Sequence, residues 1–336
     1  MTIAPLDDKA MIDARQRWDG RAKPLGSLGR LEAIGVHLAG IASMCPPPVP
    51  AHPAVVVFAG DHGVVADGAS AWPSEVTALM VANMAGGGAA VCSFARTVGA
   101  TLHVVDVGIA GDVTAIPDVV HRKVRPGTRS LAQGPAMTVD EARAALAVGA
   151  ELADSCIDYG ADLLVAGDMG IGNTTSAACL IAAICGVAPD KVVGPGAGLP
   201  EDRLGHKAAL IRTAVQRARH VSEPIKLLAE IGGLELAAMA GFYSRAVTRR
   251  QPVVIDGVIA LAALLIAEQL EPGTAVRCIA GHRSTEPAAD FALSFLGAAP
   301  LLDLDLRLGE GTGAVLAIPL IQAAALALRE MADLPA

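Results

Sequence analysis

The sequence predicts an α/β fold in which a parallel sheet carries helices on both faces. Hydrophobic residues make up 53% of the 336 residues but aromatic residues only 3%, so the core must consist mainly of Ala, Val, Leu and Ile. Short apolar runs alternate with longer helical stretches, which is typical of parallel strands joined by crossover helices. The 36 glycines suit the tight turns between strand and helix that such a fold needs.

Five apolar runs are predicted as strands and four longer segments as helices. The strands are expected at residues 55–58, 102–107, 163–166, 253–255 and 276–279, and the helices at 75–84, 139–159, 175–185 and 202–219. Most of the strands end in Gly, often beside Asp or His. Because the carboxyl ends of parallel strands share one edge of the sheet, we expect these polar residues to gather there as a ligand site.

The two ends of the chain are predicted to be helical. Residues 1–40 contain no convincing strand, and the proline-rich segment 45–53 cannot continue a helix, so a boundary is expected there. An apolar helix over residues 313–331 is expected to close the fold against the N-terminal helices. Residues 313–328 of this helix and residues 257–266 resemble membrane spans. The shorter one cannot cross a bilayer and Pro319 and Gln322 interrupt the longer one, so both are predicted as buried helices.

Charge and cysteine usage argue against several classes of partner. The net charge of −8, without any basic block, argues against nucleic acid and against an anionic membrane. The six cysteines are scattered and form no C-x-x-C pair, as expected for reduced thiols of a cytosolic protein. The N-terminus has acidic residues where a signal peptide needs basic ones. A cytoplasmic location is therefore expected.

A glycine-rich segment at residues 161–177 is the strongest candidate for ligand binding. Its glycines follow a buried strand and let the backbone come close to a ligand, and its polar residues begin a helix whose free N–H groups suit a phosphate. The glycines are Gly167, Gly170 and Gly172, and the polar residues are Asn173, Thr174, Thr175 and Ser176. An ordinary turn followed by a capped helix accounts for the same pattern, so both interpretations stay open.

Glu310 is the candidate catalytic residue. It lies between two glycines, which remove side-chain cover and allow its carboxylate to face a ligand. In a partly apolar pocket such a carboxylate acquires a raised pKa and can act as a general base. The alternative is a turn glutamate in water, the ordinary situation of an arbitrary Glu.

Two further segments carry candidate phosphate contacts. Ser284 and Thr285 follow a predicted strand and precede a helix expected to begin at residues 286–287, where they could cap the helix or bind phosphate. Lys207 follows the glycine loop at residues 194–198 and could provide a counter-charge, although a lone lysine is usually a solvated surface charge.

Metal and cofactor motifs are absent from the sequence. Asp61, His62 and His282 are conceivable metal ligands, but no set at metal-ligand spacing accompanies them, so we expect neither a metal nor a cofactor. The glycine loops match neither the dinucleotide pattern nor the Walker lysine pattern, which argues against a nicotinamide dehydrogenase and an ATPase. A G-x-S-x-G nucleophile elbow is also lacking.

Taken together, these motifs resemble the nicotinate-nucleotide–dimethylbenzimidazole phosphoribosyltransferase family. Each motif is weak singly, but the ordered set runs through nearly the whole chain and is specific. The matching segments are Lys23-Pro-Leu-Gly-Ser-Leu-Gly-Arg-Leu-Glu32, Ala59-Gly-Asp-His-Gly-Val64, Ser70-Ala-Trp-Pro-Ser-Glu-Val-Thr77, Gly167-Asp-Met-Gly-Ile-Gly-Asn-Thr-Thr175, Gly281-His-Arg-Ser284 and Leu308-Gly-Glu-Gly-Thr-Gly313.

The resemblance implies a fold and a reaction. The fold would be a Rossmann-like large domain, residues 47–304, with a small helical domain built from residues 1–46 and 305–336, assembled as a homodimer. The reaction would transfer phosphoribose from nicotinate mononucleotide to 5,6-dimethylbenzimidazole, giving α-ribazole 5'-phosphate, used in the lower ligand of cobalamin, and nicotinate. The same chemistry on another benzimidazole, a purine or a phenol, and a non-catalytic nucleotide sensor, are the alternatives.

The resemblance also implies roles for individual residues. Glu310 would be the catalytic base and Ser70 would lie in the acceptor pocket. The nucleotide would be bound by Gly170, Lys207 and Ser284, with Gly172, Asn173, Thr174, Thr175 and Gly309 beside them. Asp168, a further substrate-site residue, stands where the family pattern has Glu, and its shorter side chain reaches less far.

Overall fold

The chain folds around one six-stranded parallel sheet. The structure is a computed structural model that describes residues 3–335, and the six strands are those of that range. They are β1 Pro53–Gly60, β2 Thr101–Gly108, β3 Val119–His121, β4 Leu163–Met169, β5 Val253–Ile255 and β6 Cys278–Ala280, in the order β3-β2-β1-β4-β5-β6. All five pairings are parallel, which confirms the predicted fold class.

The helices connect the strands and cover both faces of the sheet. They are α1 Asp8–Asp19, α2 Arg30–Ala42, α3 Glu75–Ala85, α4 Ala90–Thr97, α5 Val139–Asp158, α6 Asn173–Cys185, α7 Pro189–Val192, α8 Glu201–Ala218, α9 Pro224–Ile231, α10 Leu234–Thr248, α11 Val258–Leu270, α12 Pro287–Leu296 and α13 Thr312–Glu330. Each predicted helix is present, although α6 begins two residues before the predicted start.

Two details of the strands differ from the sequence prediction. The short strand β3 was not expected, because three residues ending in an exposed His121 carry too little apolar pattern to indicate a strand. The last strand begins at Cys278 rather than at residue 276, because Val276 belongs to the 3₁₀ turn Ala275–Arg277. Both differences lie toward the edges of the sheet, where burial is weakest.

The central strand β1 shows how the two faces are packed. All eight of its residues are buried, so its sequence is apolar throughout instead of alternating. Val56 and Phe58 pack into a core formed with helices α5, α6, α10 and α11, whereas Val55 and Val57 point into a second core with α4 and α13. The sheet is therefore the middle layer of three.

The strand order creates a crevice between β1 and β4. The chain leaves β1 toward β2 on one side and returns through α5 to β4 on the other, so the connections diverge at this point. Ala59 pairs with Met169 at the carboxyl ends of the two strands. Residues just after β1 and just after β4 therefore face each other, which is where ligands bind in sheets of this type.

Helix α13 joins the chain ends to the sheet. Val315 and Ile318 lie in the core beneath α13, whereas Leu328 packs with Trp18 in a third cluster formed by α1 and α2. The Arg21 guanidinium donates to the carbonyl of Leu328 at 2.6 Å, at the negative end of the α13 dipole. The N-terminal helices thus pack against α13, as predicted.

Two segments are long and apolar enough to cross a membrane by length and composition alone. They are Glu75–Thr97, which is interrupted between α3 and α4, and Thr312–Glu330, which is α13. The core helix of a folded domain can have the same length and composition. More than half of the most apolar window of α13 is buried within the fold.

Candidate active site

Glu310 lies on a left-handed turn immediately before α13. Gly309, Glu310 and Gly311 have φ angles of +83°, +63° and +87°. Glycine adopts this region freely, but a residue with a side chain is strained there by about 1–3 kcal/mol. The turn is held by β4, because a Cβ at Gly167 would overlap the carbonyl group of Glu310. Glu310 is therefore the strained residue of this turn, and its carboxylate is the candidate for acid–base chemistry.

The Glu310 carboxylate is buried, with 4% of the residue exposed. Burial raises the pKa of Glu310, and the negative charge of Asp256 raises it further. The backbone N–H of Val91 lowers the pKa by donating a hydrogen bond to Oε2 at 3.4 Å. Val91 lies in the first turn of α4. A carboxylate with a raised pKa is suited to accept a proton near neutral pH.

Asp256 anchors the Glu310 turn from the next strand. Its carboxylate accepts the backbone N–H of Gly311 at 3.2 Å and that of Ala314 at 2.9 Å, so it caps α13 from a position directly after β5. Nε2 of His282, which follows β6, lies 3.3 Å from Asp256 Oδ1. In the sequence Asp256 is one of the polar residues that follow a predicted strand, and its partners could not be predicted because they are distant in the chain.

Asp168 and Asn173 lie beside the same turn. Asn173 donates to Asp168 Oδ2 at 2.9 Å, and a Cβ at Gly309 would stand 3.0 Å from that oxygen. Burial, then the charges of Asp256 and Glu235, raise the pKa of Asp168 well above its ordinary value. The structure therefore brings four predicted residues together: Asp168, Asn173, Gly309 and Glu310.

Lys207 is buried instead of lying on the surface, with 1% of the residue exposed. Its ammonium group donates to Thr174 Oγ1 and to the Gly194 carbonyl, both at 2.9 Å. Burial lowers the pKa of Lys207, and the nearby Glu286 carboxylate opposes that effect. An ammonium group has three N–H donors, so these two bonds leave a third for a ligand.

Ser284 is linked through Glu286 to the glycine loop at residues 194–198. Its hydroxyl accepts the Glu286 N–H at 3.3 Å, and Glu286 accepts the Gly196 N–H at 2.8 Å. Glu286 is the N-cap residue of α12, which begins at Pro287 without a side-chain cap bond. Ser284 therefore makes a local turn and not the predicted helix cap. A Cβ added at Gly257 would lie 3.4 Å from both Ser284 Cβ and His282 Nε2, so the Ser284 and His282 side chains lie close together.

Gly170 and Gly172 form the turn that leads from β4 into α6. A Cβ at Gly170 would overlap the Gly60 carbonyl, so only glycine lets the ends of β1 and β4 approach this closely. Gly172 is the N-cap of α6 with a φ of +93°. Thr175 is fully buried, and among the described residues its hydroxyl has no hydrogen-bond partner.

Ser70 lies in the segment between the 3₁₀ turn Gly63–Asp67 and α3. It is half-buried, and its hydroxyl accepts the backbone N–H of Trp72 at 3.1 Å. The indole N–H of Trp72 donates to the Ala197 carbonyl at 3.0 Å. Ser70 is thus linked to the glycine loop that also contacts Lys207, and no described hydrogen bond joins it to Glu310.

The fold and the arrangement of these residues define a doubly wound α/β enzyme with a buried carboxylate and a buried lysine at the switch point of its sheet. The chain belongs to the DBI_PRT phosphoribosyltransferase family, whose model matches residues 3–335. This finding confirms the resemblance that the sequence motifs indicated.

Individual relatives cover almost the full length of the chain. A nicotinate-nucleotide–dimethylbenzimidazole phosphoribosyltransferase from Salinispora tropica is 47% identical over 345 residues, covering 98% of this chain and 95% of the relative. A protein of the same name from Mycobacterium avium is 48% identical over 334 residues, with the same coverage. The crystal structure of CobT from Thermus thermophilus matches with a TM-score of 0.94 and 47% identity, covering 97% of each chain.

Proposed function

We propose that this chain transfers the phosphoribosyl group of nicotinate mononucleotide to 5,6-dimethylbenzimidazole. A ring nitrogen of the benzimidazole forms a bond to C1' of the ribose while the bond from C1' to the pyridine nitrogen breaks. The electron pair of the broken bond returns to the pyridinium ring, so nicotinate leaves without needing a proton. The products are α-ribazole 5'-phosphate and nicotinate, and the acceptor N–H proton is released to the enzyme.

The observation that carries this proposal is the buried Glu310 carboxylate on its Gly-Glu-Gly turn. The leaving group needs no acid, so the task left for the protein is to accept the proton of the attacking base. Burial raises the pKa of Glu310, which makes it a stronger base than an exposed glutamate. Holding both substrates in line supplies further rate acceleration through positioning.

The nucleotide phosphate is proposed to lie at the start of α6. The turn from Gly170 to Gly172 leads into α6, and the positive end of the helix dipole lies at Gly172 and Asn173, where an anion is favoured. Lys207 would supply the counter-charge through its third N–H, with Thr174 and Ser284 beside it. The acceptor base would enter from the side of Ser70.

Three further features belong to the same proposal. We infer a homodimer in the cytoplasm, and a division into a small helical domain of residues 1–46 and 305–336 and a large domain of residues 47–304. The packing of α13 against α1 and α2 supports this grouping of the two chain ends.

A direct assay tests the function. Purified protein is incubated with nicotinate mononucleotide, with and without dimethylbenzimidazole, and nicotinate and α-ribazole phosphate are quantified by chromatography. We expect both products in equal amounts, and only when the acceptor is present. Competition with other benzimidazoles, adenine and phenol identifies the preferred acceptor. Nucleotide binding without nicotinate release under any of these conditions would instead indicate a sensor.

A further inference from the structure

His62 occupies the junction of three elements next to the proposed nucleotide site. It follows β1, and 1% of the residue is exposed. Its Nδ1 lies 2.9 Å from Ser176 Oγ near the start of α6, and its Nε2 lies 2.8 Å from Glu235 Oε1 in the first turn of α10. The imidazole therefore ties the end of β1 to the beginnings of two helices.

The space around the imidazole is defined by glycines. A Cβ at Gly233 would lie 2.5 Å from His62 Cε1, closer than side chains tolerate. A Cβ at Gly172 would lie 3.2 Å from His62 Cβ, and one at Gly170 would lie 3.5 Å from His62 Cδ2. The His62 side chain thus packs directly against both glycines of the turn between β4 and α6.

Burial and the neighbouring carboxylates have opposite effects on the pKa of His62. Burial alone would lower the pKa of His62, but the Glu235 carboxylate, through charge and hydrogen bonding, and then Asp61 raise the pKa above its ordinary value. Both ring nitrogens lie within hydrogen-bond distance of a partner, Ser176 for Nδ1 and Glu235 for Nε2. The charged groups that face it are Asp61 beside it in the chain and Glu235 from α10, and Glu235 also acts on Asp168 of β4.

We propose that His62 is a positioning residue that fixes the Gly170–Gly172 turn and the start of α6 through its paired hydrogen bonds to Ser176 and Glu235. The motif Gly60-Asp-His-Gly63 thereby acquires a role that involves neither metal binding nor direct contact with substrate. The expected change in KM rests on the proposed function, because it assumes that the nucleotide binds at this turn. The expected change in hydrogen exchange does not depend on that assumption.

Hydrogen exchange tests the positioning without reference to activity. Amide exchange is measured by mass spectrometry on the full chain for the wild type, His62→Gln, Ser176→Ala and Gly233→Ala. Gln retains a donor toward Glu235, and Ser176→Ala removes one bond only. Gly233→Ala removes no bonding group, but its Cβ would displace both the imidazole and the Glu235 carboxylate. We expect exchange in a peptide covering residues 170–176 to accelerate about tenfold or more in each variant, with the β1 peptide unchanged.

Two matched variants serve as controls. His220→Gln changes an exposed histidine, and Gly205→Ala adds a Cβ where nothing lies within 4 Å. Both should exchange as the wild type does. Unchanged exchange at residues 170–176 in Ser176→Ala and Gly233→Ala would overturn the proposal. A uniform acceleration over the whole chain would overturn it as well, because it would show a general contribution to stability only.

Steady-state kinetics provides the second measurement. The KM for nicotinate mononucleotide should rise about 10- to 100-fold in His62→Gln, because the Gln amide cannot reproduce both contacts of the imidazole and holds the turn less firmly. The KM for dimethylbenzimidazole should stay within about twofold. Equal changes in both KM values would contradict the assignment. Should the wild type release no nicotinate, the proposed function fails, whereas the exchange data still decide the role of His62.

Discussion

Replacing Glu310 by Gln separates chemistry from folding at this site. Gln has almost the same volume, and the left-handed turn is held by Asp256 and by the close approach of Gly167, neither of which involves the Glu310 carboxyl group. The one described hydrogen bond to that carboxyl group, from the Val91 N–H, is long at 3.4 Å and can still be made to the amide oxygen. The variant should therefore fold and bind nucleotide.

The expected loss lies in turnover. Removal of a general base lowers the rate by about 10²–10⁴-fold, which corresponds to about 2.7–5.4 kcal/mol in activation free energy. In the wild type, kcat should rise with pH through the raised pKa of Glu310, and this limb should vanish in the variant. Nicotinate release at saturating substrates over a range of pH measures both effects, and Glu330→Gln, at the exposed far end of α13, is the control.

The stability of the variant provides a second criterion. Because the pKa of Glu310 is higher in the folded than in the unfolded chain, the folded state binds more protons between the two values. Stability is therefore greatest below the unfolded pKa and decreases as pH rises through the folded pKa. At pH 7 the Gln variant should melt at the same temperature as the wild type or higher. Wild-type turnover in this variant would refute the assignment of Glu310 as the base.

The remaining predictions concern the groups around Glu310. Lys207→Met, which preserves buried volume, should weaken nucleotide binding by about 1.5–3 kcal/mol in a calorimetric titration, because a charge-assisted bond is lost; an unchanged Kd would show that the ammonium group does not contact the ligand. Asp256→Asn should lower the free energy of unfolding by about 0.5–2 kcal/mol through the weakened cap of α13. It should also move the rising limb of kcat to lower pH, because Asp256 raises the pKa of Glu310; a lowered Tm with an unmoved limb would argue for a purely structural role. Activity should survive dialysis against EDTA, because in the proposed reaction nicotinate leaves from a pyridinium nucleotide without an acid or a metal. Recovery of lost activity by Mg²⁺ or Zn²⁺ would contradict this expectation.

Much of the fold could be predicted from local sequence signals. The apolar runs of β1, β2, β4 and β5 indicated strands because a strand covered on both faces needs no polar residue. The two glycines around Glu310 marked it as a candidate, because they remove side-chain cover and allow its carboxylate to face a ligand. The strand β3 escaped prediction because its three residues are only partly buried and acquire their conformation from pairing with β2.

The candidate site, like the fold, has features that the sequence predicts and features that only the tertiary structure reveals. Sequence alone determined which residue types end the strands and where glycine turns follow them, because both depend on neighbouring residues. Only the tertiary structure decided that Lys207 is buried against Thr174, that Asp256 caps a helix 55 residues further along the chain, and that His62 meets Glu235 of α10. These pairings depend on the order of the strands, which places β1 beside β4. That order is set by the summed packing of helices on both faces of the sheet, and no short stretch of sequence contains that information.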